Sequence, residues 1–337
     1  TLSGSNTYGG DTTISAGDLV VNTESALGRS NLVRINGGAL HYGIDGSDDG
    51  LLSYELGEQG GTIAVEKGKS YELQGSLAGA SASGGLTKQG KGKLILSGSN
   101  TYGGDTTISA GELVLRSESA LGQSNVVEIK DERGWDVSDA ADSSSITFQK
   151  RDDSATLIVA KQKALERIGK LVLDGGNLYF AVESSDSESE SLPLDIVLGS
   201  SGGLLAVMND YTLDLTGTIT GESSSLDPFV KTGSGTLVLS GQNTYKSPTG
   251  VIGGRLVVNS DQALGFSGDV GLNDAVLQYS VGHSDVSLTR FRLGQQGGTI
   301  AVEKGKSYEL QGSIGGGSAR GGLTKEGNGT LTLSGSN

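Results

Sequence analysis

The 337-residue sequence contains no cysteine, three prolines, one tryptophan and two histidines. Without cysteine there is no disulfide framework and no thiolate zinc site. A serine triad is not expected either, because a triad needs a histidine base and His41 and His283 stand at different positions within the repeats described below. No stretch approaches the roughly eighteen apolar residues that a membrane helix needs. We therefore predict a protein that is not an enzyme, with no catalytic residue, cofactor or metal.

Positive charge is also scarce, since 25 Lys and Arg face 39 Asp and Glu, giving a formal net charge of -14. Nucleic acids and anionic membranes bind preferentially to basic surfaces, so neither is an expected partner. The 57 glycines indicate many tight turns, and the 5% aromatic content leaves Leu, Val and Ile to form the core.

The sequence is repetitive. LSGSNTYGGDTTISAG occurs at residues 2–17 and again at 96–111, a looser LSGQNTY begins at Leu239, and LSGSN ends the chain. GTIAVEKGKSYELQGS likewise recurs without change. Self-similarity at a fixed period is typical of a solenoid, in which each unit packs only on its neighbours. We predict a single solenoid over residues 1–337, cut from a longer chain, with modules 1–95, 96–238 and 239–332 and the start of another at 333–337.

Apolar residues alternate with polar ones in short runs bounded by Gly, Asn or Ser, which predicts half-buried strands. Two ladders of apolar residues advance by about 19 to 23 residues a step, close to one turn of a parallel β-helix. An antiparallel sandwich would not predict two interleaved ladders with a common step. The sequence therefore predicts two sheets of one coil, of roughly sixteen turns. The proposed ladders are Ile14, Ile35, Tyr54, Leu73 and Leu96, and Val21, Tyr42, Val65, Leu86 and Ile108.

The middle module departs from this pattern twice. It carries an insertion at about 130–170, in which Ala160–Lys170 fits either one short helix or a strand and turn. An acidic loop follows at 183–191. Loops on a repetitive frame commonly carry function. Both are candidate contact segments, although they could equally be tolerated insertions.

Two polar features of the sequence can be interpreted either as parts of the fold or as binding sites. Asn6 and Asn100 stand beside Gly-Gly pairs where a strand must turn, so we expect them to bond the neighbouring backbone. DGSDDG at 45–50 could gather a hard cation, but it lacks the length and distal Glu of an EF-hand loop, which favours a solvated acidic loop.

The pattern Gly-x-Gly-x-Leu-x-Leu-Ser-Gly-x-Asn-Thr-Tyr-x-Gly-x-Thr-x-Ile-x-x-Gly-x-Leu, at 90–113 and less perfectly at 233–256, resembles the passenger-associated transport repeat of autotransporter passenger domains. The resemblance implies an all-β, right-handed parallel β-helix. It implies display on, or release from, the surface of a Gram-negative cell through a C-terminal outer-membrane barrel that this sequence does not contain. It also implies the usual work of such passengers, which is adhesion without a cofactor.

We therefore hypothesise adhesion to host matrix, or cell-cell aggregation and biofilm formation, through a long polar face. The partner would be an extracellular-matrix protein, a glycan, or a passenger on a neighbouring cell. A non-binding stalk or folding scaffold is the alternative, and a β-helical polysaccharide-degrading enzyme is a further one. Within the two departures, the candidate partner-binding residues are Trp135, Asp136, Asp139, Asp186, Glu188 and Glu190.

Overall fold

In a computed structural model of the chain, the described residues are 1–131, 154–182, 191–208, 211–221, 227–284, 289–316 and 321–335. Their regular structure is β-strand apart from one 3-10 turn, Gln162–Leu165. Neighbouring strands pair in parallel and in register throughout these residues. No helix in this described part has the length and hydropathy to span a membrane. The prediction of an all-β parallel solenoid is confirmed.

The chain divides into two compact units. Unit 1 comprises Thr1–Asp131 with Asp153–Val172, and unit 2 comprises Glu132–Asp152 with Leu173–Asn337. Each is described by itself below. The extent of a single solenoid over residues 1–337 stays a prediction.

Unit 1 contains three parallel sheets. In the order in which strands pair, sheet I is β1-β3-β6-β9, sheet II is β2-β4-β7-β10-β12-β14, and sheet III is β5-β8-β11-β13-β15. The strands are β1 (Thr12–Ile14), β2 (Asp18–Val21), β3 (Leu32–Ile35), β4 (Ala39–Tyr42), β5 (Gly46–Ser47), β6 (Ser53–Leu56), β7 (Gly61–Val65), β8 (Ser70–Leu73), β9 (Leu77–Gly79), β10 (Leu86–Gln89), β11 (Lys93–Leu96), β12 (Thr106–Ile108), β13 (Glu112–Leu115), β14 (Val126–Lys130) and β15 (Thr156–Val159).

Unit 2 contains two long sheets and a short one, with β16 (Lys170–Asp174) at the division of the chain. Sheet IV is β17-β20-β23-β25-β27-β30-β33, sheet V is β18-β21-β24-β26-β28-β31-β34, sheet VI is β29-β32-β35, and β19 pairs with β22. The strands are β17 (Asn177–Phe180), β18 (Ser191–Leu192), β19 (Ile196–Leu198), β20 (Gly203–Val207), β21 (Thr212–Leu215), β22 (Ile219–Thr220), β23 (Phe229–Thr232), β24 (Thr236–Leu239), β25 (Thr249–Ile252), β26 (Arg255–Val258), β27 (Asp269–Asn273), β28 (Val276–Tyr279), β29 (His283–Ser284), β30 (Arg290–Leu293), β31 (Gly298–Val302), β32 (Ser307–Leu310), β33 (Ile314–Gly316), β34 (Leu323–Glu326) and β35 (Thr330–Leu333).

The core of unit 1 consists of rows of side chains that stack from one turn to the next. Because side chains alternate across a strand, one residue in two points inward, and register places each inward residue on its equivalent in the next turn. Each fully buried aliphatic member stabilises the fold by about 1.5–3 kcal/mol. The inner row of sheet II is Leu19, Leu40, Ile63, Lys88, Ile108 and Ile129, all but Leu19 fully buried.

The predicted ladders are partly right. Val21 stacks on Tyr42 and Tyr42 on Val65, but Leu86 pairs with Gly61, so the second ladder slips by four residues, or two inward positions, at this step. Lys88 occupies an inward position of this strand, and a lysine is not expected in a core from the sequence. The first ladder joined residues of sheets I and III, which is why two sheets were predicted where unit 1 has three.

The turn count was also too high. Successive partners are separated by 20 residues at Leu86 and Thr106 and by 25 at Ile63 and Lys88. The longest sheets contain six described strands in unit 1 and seven in unit 2, so the two units hold about a dozen stacked layers and not sixteen. Long corners and the insertion lengthen the chain without adding layers.

Part of the middle insertion is another turn of the solenoid. Residues 156–180, TLIVAKQKALERIGKLVLDGGNLYF, align without a gap on 18–42, DLVVNTESALGRSNLVRINGGALHY. β15 pairs with β13, and the 3-10 turn stands where the Ala26-Leu27 corner stands in the first module, with Ala164 and Leu165 buried likewise. The two readings of Ala160–Lys170 are thereby resolved, because this stretch is one helical turn and then a strand.

Copies of the same motif lie on different sheets. In unit 1, β1 belongs to sheet I and its copy β12 to sheet II, while β2 belongs to sheet II and its copy β13 to sheet III. In unit 2, β20 and β23 belong to sheet IV, and their copies β31 and β34 to sheet V. The shift arises because one module covers four strand-to-strand steps along a sheet and then continues for one strand more. That last strand lies on the next sheet. Identical outward side chains therefore face different directions in successive modules.

Adjacent residues of β7 test the inward and outward assignment. We expect Ile63→Ala to lower the free energy of unfolding by about 2–5 kcal/mol, because it opens a cavity in the inner row. Thr62→Ala, on the outer side of the same strand, should change it by less than about 0.5 kcal/mol. Urea denaturation of both variants measures the difference, and equal losses would contradict the assignment.

Candidate functional site

The six predicted partner-binding residues lie outside the described residues. Trp135, Asp136 and Asp139 fall within 132–153, and Asp186, Glu188 and Glu190 fall within 183–190. Their role stays a prediction. The functional description below rests on the repeat corners and on the outer faces of the sheets.

At the repeat corners, buried asparagines bridge successive turns. The Asn100 amide donates to the carbonyl of Ala120 at 2.7 Å and accepts from the Leu77 N–H at 2.9 Å. Asn243 makes the same two bonds, to the Ala263 carbonyl at 2.6 Å and from the Ile219 N–H at 2.7 Å. Asn6 donates in the same way to the carbonyl of Ala26. The structural reading of Asn6 and Asn100 is confirmed, and these amides are occupied by backbone.

The tyrosine of the same motif closes the corner from inside. The Tyr102 and Tyr245 rings are fully buried, and their hydroxyls lie 2.8 and 2.9 Å from those of Thr106 and Thr249. Burial raises the pKa of both tyrosines. Their carbonyls accept from the N–H groups of Gln123 and Phe266 in the corner backbone, so the NTY motif is a structural joint.

A lysine sequestered in the core is the feature that the sequence reading missed. Lys88 lies between Ile63 and Ile108 in the inner row and has no solvent exposure. Its ammonium donates to the carbonyls of Gln89 and Gly90 at 2.7 Å and to that of Ala110, in the next turn, at 3.0 Å. The three N–H groups are thus all satisfied, and the cation links two successive turns.

The second copy repeats this arrangement. The Lys231 ammonium donates to the carbonyls of Gly233 at 2.8 Å, Gly235 at 2.7 Å and Gly253 at 3.0 Å. Burial lowers the pKa of Lys88 to about 7 and that of Lys231 to about 8. The three carbonyl acceptors act in the opposite direction, because a neutral amine has only two hydrogens to donate. In the last copy, Lys325 donates to the carbonyl of Gly327.

The alternation of inward and outward residues along each strand could have predicted that these lysines are buried. Leu86 and Lys88, Phe229 and Lys231, and Leu323 and Lys325 each occupy alternate positions of one strand. If the apolar partner faces inward, the lysine must as well. A lysine recurring at an inward position implies a fixed set of acceptors inside the protein.

The acidic loop DGSDDG is engaged by backbone. Asp48 accepts N–H bonds from Gly50, Gln74 and Gly75 at 2.8–3.2 Å. The Ser70 N–H and the Lys69 side chain hold the pKa of Asp45 below its usual range. Within the part of the chain that the structure describes, no three His, Cys, Asp or Glu side chains gather as a metal site.

The outer faces are polar and tied together along the direction of stacking. A carboxylate accepts from the serine of the LSG motif one turn further on in all three modules. The pairs are Ser97 with Glu72, Ser240 with Asp214 at 2.6 Å, and Ser334 with Glu309 at 2.7 Å. Such bonds fix the side chains and leave an ordered hydrogen-bonding surface.

Ion pairs extend the same rows. Arg34 bonds Asp11 at 2.7 Å and Glu55 at 3.0 Å, which joins three successive turns on the outside of unit 1. His41, the histidine whose side chain is described, lies 3.2 Å from Asp18 on a neighbouring strand and is half-buried. These pairs are exposed to solvent, so they shape the surface more than they stabilise the fold.

Comparisons with known proteins agree with this architecture. Four segments match the family model of the passenger-associated-transport-repeat, at residues 1–21, 86–115, 229–258 and 323–337. These segments contain the Asn-Tyr corners and the buried lysines. These four segments of the chain therefore match this repeat, and the predicted resemblance to autotransporter passenger domains is confirmed.

A curated relative points the same way. Over 142 residues, 41% of this chain, the sequence is 30% identical to the adhesin BmaC autotransporter of Brucella suis biovar 1 (strain 1330). The aligned part spans about 4% of that relative's length. No solved structure matches the chain. Together the two matches indicate a cell-surface or extracellular protein associated with the outer membrane, as predicted.

Replacing the buried lysine tests its role in the corner. We expect Lys88→Met to lower the free energy of unfolding by about 1–3 kcal/mol, because three carbonyls lose their donor. Lys93→Met is the matched control, since Lys93 is half-exposed in an ion pair with Glu112 and its loss should cost less than about 1 kcal/mol. Urea denaturation compares them. A smaller loss for Lys88→Met than for Lys93→Met would overturn the role assigned to the ammonium.

The same lysine predicts a pH dependence. With its pKa lowered from 10.5 to about 7 in the folded state, Lys88 binds fewer protons than the unfolded chain between those two values. The free energy of unfolding of wild type, relative to Lys88→Met, should therefore rise with pH from about 7 to about 10.5 and stay level below 7. Paired denaturation curves at pH 6 to 10 measure this difference. A flat profile would mean that the carbonyls keep the ammonium charged.

Proposed function

We propose that this chain is part of an autotransporter adhesin and acts in attachment to host matrix or in aggregation between cells. The observation that carries the proposal is the combined match to passenger-associated transport repeats and to an adhesin relative. The rows of bonded Ser, Thr, Asp, Glu and Arg side chains support it, because they offer an ordered polar face to a partner. The partner would be a matrix protein, a glycan or a second passenger.

Contact would be made by many weak polar interactions. The described outer faces have rows of hydrogen-bonding groups, such as Thr62, Thr87 and Thr107 on neighbouring strands of sheet II. Individually these contacts are weak, and binding strength would come from many copies acting together. On this reading the chain needs no catalytic group or cofactor, and single substitutions on the face should have small effects.

Within this proposal, the departures from the repeat provide the specific contacts. They are the segment 132–153, with Trp135, Asp136 and Asp139, and the segment 183–190, with Asp186, Glu188 and Glu190. The supporting argument is that exposed loops on a stacked frame can change without disturbing its core.

A non-binding stalk is the second candidate. It is favoured by the serine-carboxylate and arginine-carboxylate bonds described above, because they use the polar groups of the outer faces within the chain. A stalk would need this rigidity and no free recognition surface.

Deletion of the two segments separates adhesin from stalk. The purified chain should bind an immobilised matrix protein, a glycan array or itself, and deletion of 132–153 or 183–190 should weaken binding by at least about tenfold. Surface plasmon resonance gives the affinities. The charge-matched control replaces Glu24, Glu58 and Glu66 by Ser, against Asp186, Glu188 and Glu190 by Ser. All three control residues are exposed.

The outcomes of these binding experiments distinguish between an adhesin, a stalk and an enzyme. Unchanged binding in both deletions would end the role of these segments. Absence of binding by wild type to every surface would favour the stalk. Release of reducing ends or unsaturated sugars from a polysaccharide panel would instead indicate an enzyme.

Self-association should depend on salt. The formal net charge of -14 should keep copies apart at about 10 mM salt and allow association at about 300 mM, where exposed charges are screened. Sedimentation velocity at both concentrations measures this. Stronger association at low salt would show that opposite charges drive it.

A further inference from the structure

The outer face of β27 and β30 in unit 2 differs in charge from the equivalent face of the first module. In unit 1, the single arginine Arg34 bonds two carboxylates on neighbouring turns. In unit 2 the ratio is reversed, because one carboxylate, Asp269, accepts from Arg290 at 2.8 Å and from Arg292 at 3.4 Å. This face therefore has an excess of positive charge in a chain whose formal net charge is -14.

Both arginines point away from the core. Alternation directs them outward, since the residues beside them on the two strands are buried. The side chains of Arg290 and Arg292 are 60% and 43% exposed. Arg292 bonds Asp269 through Nε, and among the described residues nothing accepts from its two terminal nitrogens. The buried residues of the two strands are Val270, Leu272, Phe291 and Leu293.

The backbone beside Arg292 is open. Its register partner on β27 is Gly271, which has no side chain above the sheet. The equivalent positions in the first and second modules hold Arg34 and Glu128, whose side chains cover the strand. A glycine at such a position lets a flat molecule approach the backbone closely.

An exposed aromatic ring lies at the start of the same face. Phe266, in the corner that leads into β27, is 60% exposed, whereas its equivalents are Arg29 and Gln123. One exposed apolar residue is ordinary by itself. Here it precedes Asp269 by three residues, so the two Cα atoms are at most about 11 Å apart. The ring is thus a near neighbour of the two guanidinium groups.

We propose that this face binds a carboxylated sugar of an acidic glycan. We call it the arginine face, and its residues are Phe266, Asp269, Gly271, Arg290 and Arg292. The proposal rests on the proposed function, of which it names the ligand class.

Each residue of the arginine face has a role in this binding. The planar guanidinium of Arg292 matches a planar carboxylate and can donate two parallel N–H bonds to it. The Phe266 ring packs against the apolar C–H face of the sugar ring. Gly271 leaves room for the sugar to lie flat, and Asp269 keeps both arginines in position.

The charge of the chain favours a carboxylated sugar over a heavily sulfated one. The arginine face has one more positive than negative group, while the whole chain has a formal net charge of -14. A densely charged polyanion is repelled by such a chain beyond the immediate contact. A sugar with one carboxylate needs only the local excess of charge.

Titration with trigalacturonate, a short carboxylated probe, tests the site. Wild type should bind it, as measured by isothermal titration calorimetry. Arg292→Glu copies Glu55 of the first module, so the fold should tolerate it, and the affinity should fall by at least about tenfold because a charged hydrogen bond is lost. The matched control is Arg34→Glu, which makes the same change of charge on sheet I and should alter the affinity by less than about twofold.

A second variant leaves the charge unchanged. Phe266→Gln copies Gln123 of the second module and removes the ring. The affinity for trigalacturonate should fall by at least about fivefold, because the apolar contact is lost. Maltotriose, a neutral sugar of the same length, should bind neither wild type nor variant.

The outcomes decide whether the arginine face is the site. Absence of trigalacturonate binding by wild type, equal binding of maltotriose, or tighter binding of a heparin tetrasaccharide would overturn the proposal. An equal loss in Arg34→Glu and Arg292→Glu would do the same. A chain that attaches to matrix or to itself without binding trigalacturonate would refute this site and leave the proposed adhesion intact. A chain that binds trigalacturonate through these residues but adheres to no surface would refute the adhesion instead.

Discussion

The parallel backbone ladder between successive turns is the interaction on which the other features of each unit depend. Every strand inside a sheet donates and accepts hydrogen bonds on both sides, so each turn must match the register of its neighbours. Register then decides which residue stacks on which, and the inner rows of Leu, Val and Ile follow. A segment that breaks register must leave the sheet as a corner or an insertion.

Corners are energetically unfavourable in such a ladder, because backbone carbonyls that turn away from the sheet need other hydrogen-bond donors. Asn100 and Asn243 meet this need with a side-chain amide, and Lys88 and Lys231 meet it with an ammonium that reaches into the next turn. A buried cation is tolerated there because all three of its hydrogens are bonded. The repeat motif is therefore best understood as the residues whose buried side chains donate to backbone carbonyls where the solenoid turns a corner.

The sequence predicted the fold class and much of the core, since exact repeats and period-two alternation both depend on local spacing. Val21, Tyr42 and Val65 stack as expected. Prediction failed where a polar residue occupies an inner position, as at Lys88. It also failed where corner and strand sequences look alike, because two sheets were predicted where unit 1 has three. The turn at 156–180 was hidden because Lys161 and Lys163 replace the small polar residues of its equivalents. The candidate contacts in 132–153 and 183–190 remain predictions, because loop sequences without a repeat contain no register information.

The shift of successive motif copies from one sheet to the next links this geometry to recognition. In each unit, identical outward side chains lie on neighbouring faces, so a partner that contacts one face meets different residues at each level. The middle module differs further, since its outer face has Leu204 and Val230 where the others have threonine. Repetition thus maintains the core while the surface varies.

Distances along one outer row test the stacking most directly. Spin labels at Thr62 and Thr87, and at Thr62 and Thr107, lie one and two strands apart on sheet II. Dipolar EPR should give separations that increase by one strand spacing, about 4.8 Å, from the first pair to the second. Separations that do not increase in this way, or a first pair further apart than the second, would contradict the parallel stack.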